Sequence, residues 1–153
     1  MGLSRTQLMF VGLHRAVYRA TGGRVLGKFG HLEQVLLSTT GRVSGQTRTT
    51  PLAATPDGDR LILIASNNGG DAHPAWYLNL VAHPEVTVQR GSQVLAMTAR
   101  TAEGTERERL WALAVKNNPG YARYESRTSR RIPVVVCEAV AGRAPRVSGP
   151  DAR

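Results

Sequence analysis

The sequence predicts an α+β domain that is mainly antiparallel β, a small closed barrel of about six strands with an N-terminal helix and two further helices. Turn-forming residues, Gly41-Arg42-Val43-Ser44-Gly45-Gln46 and Pro56-Asp57-Gly58-Asp59, separate consecutive apolar strands. Strands joined so tightly form a meander, not parallel crossover units. Two stretches of helical periodicity are inserted among the strands. The 153 residues fit one domain with one core, and no repeat or linker divides them.

In chain order, Thr6 to Ala20 predicts a helix, because Met9, Leu13, Ala16, Val17 and Ala20 recur at helical spacing. Gly22 and Gly23 end it. Its arginines make it basic and amphipathic, so it packs on its own domain or lies on an anionic membrane surface. Residues 1–30 are therefore read as an amphipathic helix and linker, and 31–141 as the barrel domain. Val35 to Thr40 and Thr47 to Ala54 are strands, with Pro51 marking an edge or bulge in the second. Arg60 to Ser66 is a buried strand. A polar loop follows, and Pro74 opens a helix that runs to about Ala82. Val86 to Arg90 and Val94 to Arg100 form a hairpin around Gly91-Ser92. Thr105 to Val115 is a helix with Leu110, Leu113 and Ala114 inward and the charged residues 106 to 109 mostly outward. Asn117 to Arg131 is a loop or short helix, and Ile132 to Val140 the last strand. The Pro-, Gly- and Arg-containing tail, 142–153, is expected to be disordered.

Composition narrows the function. Lys and Arg total 20 against 11 Asp and Glu, a net charge of +9, and nearly all the cations are arginine. A guanidinium matches phosphate and carboxylate oxygens two at a time, so an anion is the expected partner: nucleic acid, membrane surface or polyanionic small molecule. With 5% aromatic residues there is little to stack bases, which disfavours nucleic acid. No Gly-x-Gly-x-x-Gly or Walker-type loop is present. The four histidines do not cluster at metal-ligand spacing, and the acidic residues are scattered. Cys137, the one cysteine, lies in the apolar run IPVVVCEAV and reads as a buried strand residue. No apolar run approaches the roughly 18 residues of a membrane span, and no secretory signal is visible, so the expected location is cytoplasmic, with contact to the inner membrane face through the first helix left open. A chain without a reactive constellation of its own but with an anion site suggests that a bound cofactor carries the chemistry.

Three segments are candidates for the site. Ser38 to Thr50 places Arg42 and Arg48 on either side of one glycine-bounded turn, which reads equally as a phosphate cradle or as a hairpin with arginines in solvent. Ala65-Ser66-Asn67-Asn68-Gly69-Gly70 leads to a helix start, where anions are favoured, and Trp76 there is either core or ligand wall. Tyr121 and Tyr124 lie three apart, on one side if helical, and serve either as a substrate wall or as packing.

These residues resemble the deazaflavin-dependent nitroreductases of actinobacteria, through LLSTTGRVSGQTRTTPL, then ASNNGGDAHPAWYLNL with AHPEVTVQ, and finally NPGYARYESRTSRRIPVVVCE. The resemblance runs from about Val35 to Glu138. It implies a split β-barrel that binds coenzyme F420 and transfers a hydride to a quinone, an activated C=C bond or a nitroaromatic. Arg42, Ser44 and Arg48, with the backbone around Val43, would hold the phosphate and acidic tail of the cofactor. Pro51, Ser66, Asn67, Ala75, Trp76 and Asn79 would line the deazaflavin and its ribityl chain. Tyr121 and Tyr124 would face the substrate as catalytic residues. Val43 and Asn67 stand where the family often has lysine, and Ala53 and Asn118 where it has aromatics, which implies weaker anion binding and a wider or more polar substrate pocket. The alternatives are a non-catalytic module for F420 or a fatty acid, and a split barrel that uses FMN or haem.

Overall fold

The core follows from a period of two on the strands. In a computed structural model, which describes residues 28–29, 32–140 and 146–147, the runs Leu61 to Ile64 and Val134 to Cys137 are buried throughout. A strand buried on one face alternates, whereas one covered on both faces is continuously apolar. Here Leu61, Leu63, Val135 and Cys137 face one cluster, with Val35, Leu37, Val88 and Met97. Ile62, Ile64, Val134 and Val136 face a second, with Leu110, Ala114 and Tyr121. The first cluster fills the barrel, and the second lies under helices on its outside.

The elements in chain order are β1 (Lys28–Phe29), β2 (Leu32–Thr40), β3 (Thr47–Asp57), β4 (Arg60–Ile64), α1 (Ala75–Ala82), β5 (Glu85–Arg90), β6 (Gln93–Thr101), α2 (Gly104–Asn117), α3 (Gly120–Ser126), β7 (Val134–Ala139) and β8 (Arg146–Val147). A 3-10 turn, Asn67–Gly69, interrupts the loop between β4 and α1. All pairings are antiparallel, in the order β1-β2-β3-β4-β7-β6-β5, and β5 returns to β2 through Leu36↔Gln89, Leu37↔Val88 and Ser38↔Thr87. Strands β2, β3, β4, β7, β6 and β5 therefore close a six-stranded antiparallel barrel, accompanied by three helices among the described residues. The six strands and the two inserted helices match those expected from sequence, and the Asn117 to Arg131 segment forms the short helix α3. The expected helix at Thr6 to Ala20 lies outside the described residues. So does most of the 142–153 tail, from which Arg146–Val147 pairs with β6.

Two features of this barrel position the site. Residues Thr47 to Ala54 of β3 pair with β2, but pairing with β4 begins only at Thr55, so the first two-thirds of β3 has one side open. Pro51 sits in this stretch, where a residue without an N–H disturbs no second ladder. Helix α1 caps one end, with Trp76 and Leu80, one turn apart, entering the barrel cluster.

Outside the barrel, helix α2 shows a departure from simple amphipathic reading. Arg107, expected outward with its charged neighbours, is buried. Its guanidinium donates to the Ile132 carbonyl at 2.8 Å and lies over the Trp111 ring, 5.3 Å from the centroid. The long apolar stem lets the side chain bury itself while its head finds a carbonyl and a π face.

Candidate active site

The turn between β2 and β3 is built by its glycines. The Gly41 N–H donates to the Gln46 carbonyl and the Gly45 N–H to the Gly41 carbonyl, each at 2.8 Å. Gly45 has φ of 71°, a left-handed conformation that glycine adopts without steric cost. At Gly41 an added Cβ would lie 2.6 Å from the Ser44 hydroxyl oxygen. Residues 42 to 48 are thereby held out as an exposed basic turn.

Helix α1 locks that turn from behind. Asn79 is 5% exposed, and its Oδ1 accepts from the Arg42 backbone N–H at 3.1 Å and from Arg42 Nη1 at 3.2 Å. Its Nδ2 donates to Thr39 Oγ1 at 3.3 Å. The Arg48 side chain has no hydrogen-bond or ion-pair partner among the described residues. By contrast Arg60, Arg90, Arg100, Arg107, Arg109 and Arg131 each pair with a carboxylate. Among the described residues, neither arginine of the turn forms a salt bridge with a carboxylate.

Between the turn and α1 lies a cavity of about 590 Å³, lined by Arg42, Val43, Ser44 and Arg48, the Thr47, Thr49 and Thr50 positions of β3, and Ala75, Trp76 and Asn79 of α1. Seven residues assigned to the cofactor on sequence grounds, Arg42, Val43, Ser44, Arg48, Ala75, Trp76 and Asn79, meet here. Trp76 serves both of the roles weighed for it: it belongs to the barrel core and also walls the cavity. Val43 borders the cavity and is 93% exposed. Tyr77 takes the other side of α1, with its hydroxyl 3.0 Å from Thr101 Oγ1.

The remaining candidates gather next door. A pocket of about 240 Å³ is lined by Pro51, Leu52, Ala53, Leu63, Ile64, Ser66, Asn68, Asn118, Tyr121 and Tyr124. Thr50 lines the large cavity and Pro51 the small pocket, so the open side of β3 runs along both. Pro51 and Ser66, grouped by sequence with the flavin-lining residues, thus share a pocket with the tyrosines. Asn67 lines neither space: its Nδ2 donates to the Ala72 carbonyl at 3.0 Å within its own loop. Asn68 takes the position in the pocket, and no pattern in the sequence separates it from Asn67.

The two tyrosines pack edge to face, with centroids 6.4 Å apart, and Arg127 lies over the Tyr124 ring at 5.6 Å. Tyr121 is buried, and burial pushes its phenol up from its ordinary value, while the Asn118 hydrogen bond acts in the opposite direction. It therefore holds its proton at neutral pH and is a donor. Glycine again sets the geometry. Gly69, at φ of 80°, lies so close beneath α3 that a Cβ would meet the Tyr124 carbonyl at 3.0 Å and Arg127 Cβ at 3.1 Å. Cys137 is fully buried in the barrel, and desolvation pushes its thiol up to about 12, which removes it from any nucleophilic role. No cluster of metal-ligating side chains occurs among the described residues, and no helix there is long and apolar enough to cross a membrane.

An antiparallel barrel with a basic, hydroxyl-rich cavity beside a tyrosine-walled pocket is built to hold a large anionic ligand. A model of the F420H(2)-dependent quinone reductase family matches residues 11–139. An F420H(2)-dependent quinone reductase of Mycobacterium tuberculosis is 41% identical over 128 residues, which cover 81% of this chain and 86% of that one. Among solved structures, an F420-H2 dependent reductase is 45% identical with a TM-score of 0.65, covering 69% of this chain and 93% of the other. A domain-swapped dimer is 40% identical with a TM-score of 0.69, covering 88% of this chain and all of its own. The chain belongs to the F420H(2)-dependent quinone reductase family, and its cofactor is coenzyme F420.

Proposed function

We propose that this chain reduces a quinone with F420H2, binding the anionic end of the cofactor in the cavity between the basic turn and α1 and the acceptor against Tyr121 and Tyr124. The observation that carries this reading is the unpaired side of β3, along which the cavity and the pocket lie consecutively at Thr50 and Pro51. A donor in one and an acceptor in the other would be held side by side, and such alignment is where a protein with few reactive groups contributes most to rate.

The residues fit the cofactor's chemistry. Arg42 and Arg48 present guanidinium forks to phosphate or carboxylate oxygens. The hydroxyls of Ser44, Thr47, Thr49 and Thr50 supply neutral donors, and the Trp76 indole offers a flat wall. When bound, the reduced deazaflavin supplies a hydride. Reduction of a quinone oxygen also takes up a proton, and Tyr121, protonated and 7% exposed, would donate a hydrogen bond or a proton to that oxygen. Tyr124 forms the second wall, and Pro51, Leu63 and Ile64 keep water from it. Ala53 and Asn118 line the pocket with small or polar side chains and leave it open to flat bicyclic acceptors. Ser66 and Asn68 add polar groups to the acceptor pocket.

Equilibrium titration with F420 and with FMN, followed by menadione reduction with F420H2, tests this reading. Wild type binds F420 in preference to FMN and turns over. Tyr121→Phe lowers kcat by about tenfold to a hundredfold, with cofactor affinity retained. Preference for FMN, or F420 binding without turnover of any quinone, would overturn it. Two further points come to this chain as proposals. Assembly as a swapped dimer is checked by light scattering, and membrane contact through residues 1–30 by vesicle sedimentation of the full chain beside one lacking residues 1–24.

A further inference from the structure

Within the segment Arg127 to Arg131 the arginines have different fates. Arg131 is 68% exposed at its side chain and pairs with Glu108. Arg130 turns inward, and all three of its guanidinium nitrogens are engaged. Its Nε donates to the Gly70 carbonyl at 2.8 Å. Its Nη1 reaches the Ala65 carbonyl at 3.2 Å and His73 Nδ1 at 3.0 Å. Its Nη2 donates to the carbonyls of Ser66 at 2.8 Å and Ala65 at 3.3 Å. The Thr128 hydroxyl, which donates to Asp71 at 3.1 Å, accepts from the Arg130 backbone N–H at 3.3 Å and adds a second tie to the same loop.

What Arg130 holds is a strained loop. Asn67 and Asn68 have φ of 46° and 53°, a left-handed region that asparagine enters more readily than other side chains with a Cβ but still at a cost relative to glycine. Two such residues in succession persist only where the surroundings over-determine them. This loop begins at Ala65, carries Ser66 and Asn68 into the acceptor pocket, and ends at Pro74, from which α1 starts. Helix α1 itself is anchored elsewhere, by Trp76 and Leu80 in the core and by Asn79 on the turn.

We propose that Arg130 is a positioning residue for the acceptor pocket: by gripping the carbonyls of Ala65, Ser66 and Gly70 it fixes the strained loop that presents Ser66 and Asn68 to the quinone. This rests on the reading of that pocket as the quinone site. Because α1 has independent anchors, release of the loop disturbs the acceptor and leaves the cofactor in place. Lysine cannot substitute, since a single ammonium nitrogen cannot span carbonyls gathered by a planar fork.

The test uses the full chain with Arg130→Lys and Arg130→Ala, and Arg131→Ala as the neighbouring control. Hydrogen exchange is read, without cofactor, at the Gly69 and Gly70 amides, which donate to the Ser66 and Asn67 carbonyls at 2.9 Å. Exchange there accelerates about tenfold or more in the Arg130 variants and stays at the wild-type rate in Arg131→Ala. With F420H2, kcat/KM for menadione falls about tenfold or more in Arg130→Lys, while F420 affinity stays within about threefold. Millimolar guanidinium, but not sodium at equal ionic strength, restores part of the loss in Arg130→Ala. If that variant does not fold, Arg130→Lys carries the test. Wild-type exchange at both amides, or a parallel loss of F420 affinity and turnover, would overturn the proposal. A wild-type chain that reduces no quinone would remove the reading of the pocket instead, and the exchange measurement would still decide whether Arg130 holds the loop.

Discussion

Asn79 ties helix α1 to the basic turn by hydrogen bonds, and replacing it with alanine has a calculable cost. Its Oδ1 holds the backbone N–H and the Nη1 of Arg42, and its Nδ2 donates to Thr39 Oγ1. Arg42 is exposed, so water replaces part of what it loses, but Thr39 is 2% exposed and its hydroxyl loses a donor in a dry place. Leaving one buried group unpaired costs about 1–3 kcal/mol, and we take about 2 kcal/mol for the site. For a chain of this size that lowers the melting temperature by about 4–8 °C. Arg42 also loses the support that aims its guanidinium, so F420 affinity falls roughly tenfold, or about 1.4 kcal/mol. Calorimetry and equilibrium F420 titration of Asn79→Ala, Arg42→Ala and the double variant separate these effects. If Asn79 acts through Arg42, the second substitution costs less affinity than the first, with a coupling of about 0.5–3 kcal/mol. Additive losses of affinity, or unchanged melting with unchanged binding, would refute the reasoning.

Gly69→Ala places a Cβ at φ of 80° against the Tyr124 carbonyl. It should cost about 1–3 kcal/mol, read by melting, and lower quinone turnover more than F420 binding. Asp57 is held down to about 2 by hydrogen bonds from Arg109 and Arg60, and Glu106 to about 2 by Arg100. Carboxylates depressed in the folded state stabilise it fully above their ordinary value near about 4 and cease to as pH falls toward about 2. The melting temperature should therefore drop across that window, and Asp57→Asn should flatten the drop. Cys137, with its thiol pushed up to about 12, should resist iodoacetamide in the native state at pH near 8 and label only on unfolding; rapid native labelling would contradict its burial.

The strands were legible in the sequence because turn chemistry bounds each of them and local patterning carries the information. Closure was legible only as a class. The pairing of β2 with β5 joins residues about fifty positions apart, and nothing local marks Leu37 as the partner of Val88. The basic turn could be singled out as a candidate by its glycines and flanking arginines, whereas the roles of Trp76 and Asn79 came only with the family resemblance. Their convergence could not be derived from spacing, since it depends on how the barrel brings α1 over β2. Arg107 and Arg130 escaped a reading based on residue type for a shared reason. Each donates to backbone carbonyls, every residue supplies one, and so no side-chain partner in the sequence announces which arginine turns inward.

The same distinction decides what the net charge of +9 means for binding. Charge on the whole chain steers an anion, but at physiological ionic strength the Debye length is about 8 Å, so distant arginines contribute little to a bound complex. Arg60, Arg100 and Arg109 are in addition neutralised within one network with Asp57, Glu106 and Glu138. Arg42 and Arg48 are not: the first is held by a neutral amide, and the side chain of the second has no partner among the described residues. An exposed cation left unpaired at a rigid, glycine-built turn is costly in self-repulsion and stabilises nothing in the free protein. On the proposed reading its energetic return comes when the cofactor binds, and the cavity it borders has hydroxyls and an indole that would receive the rest of that anion.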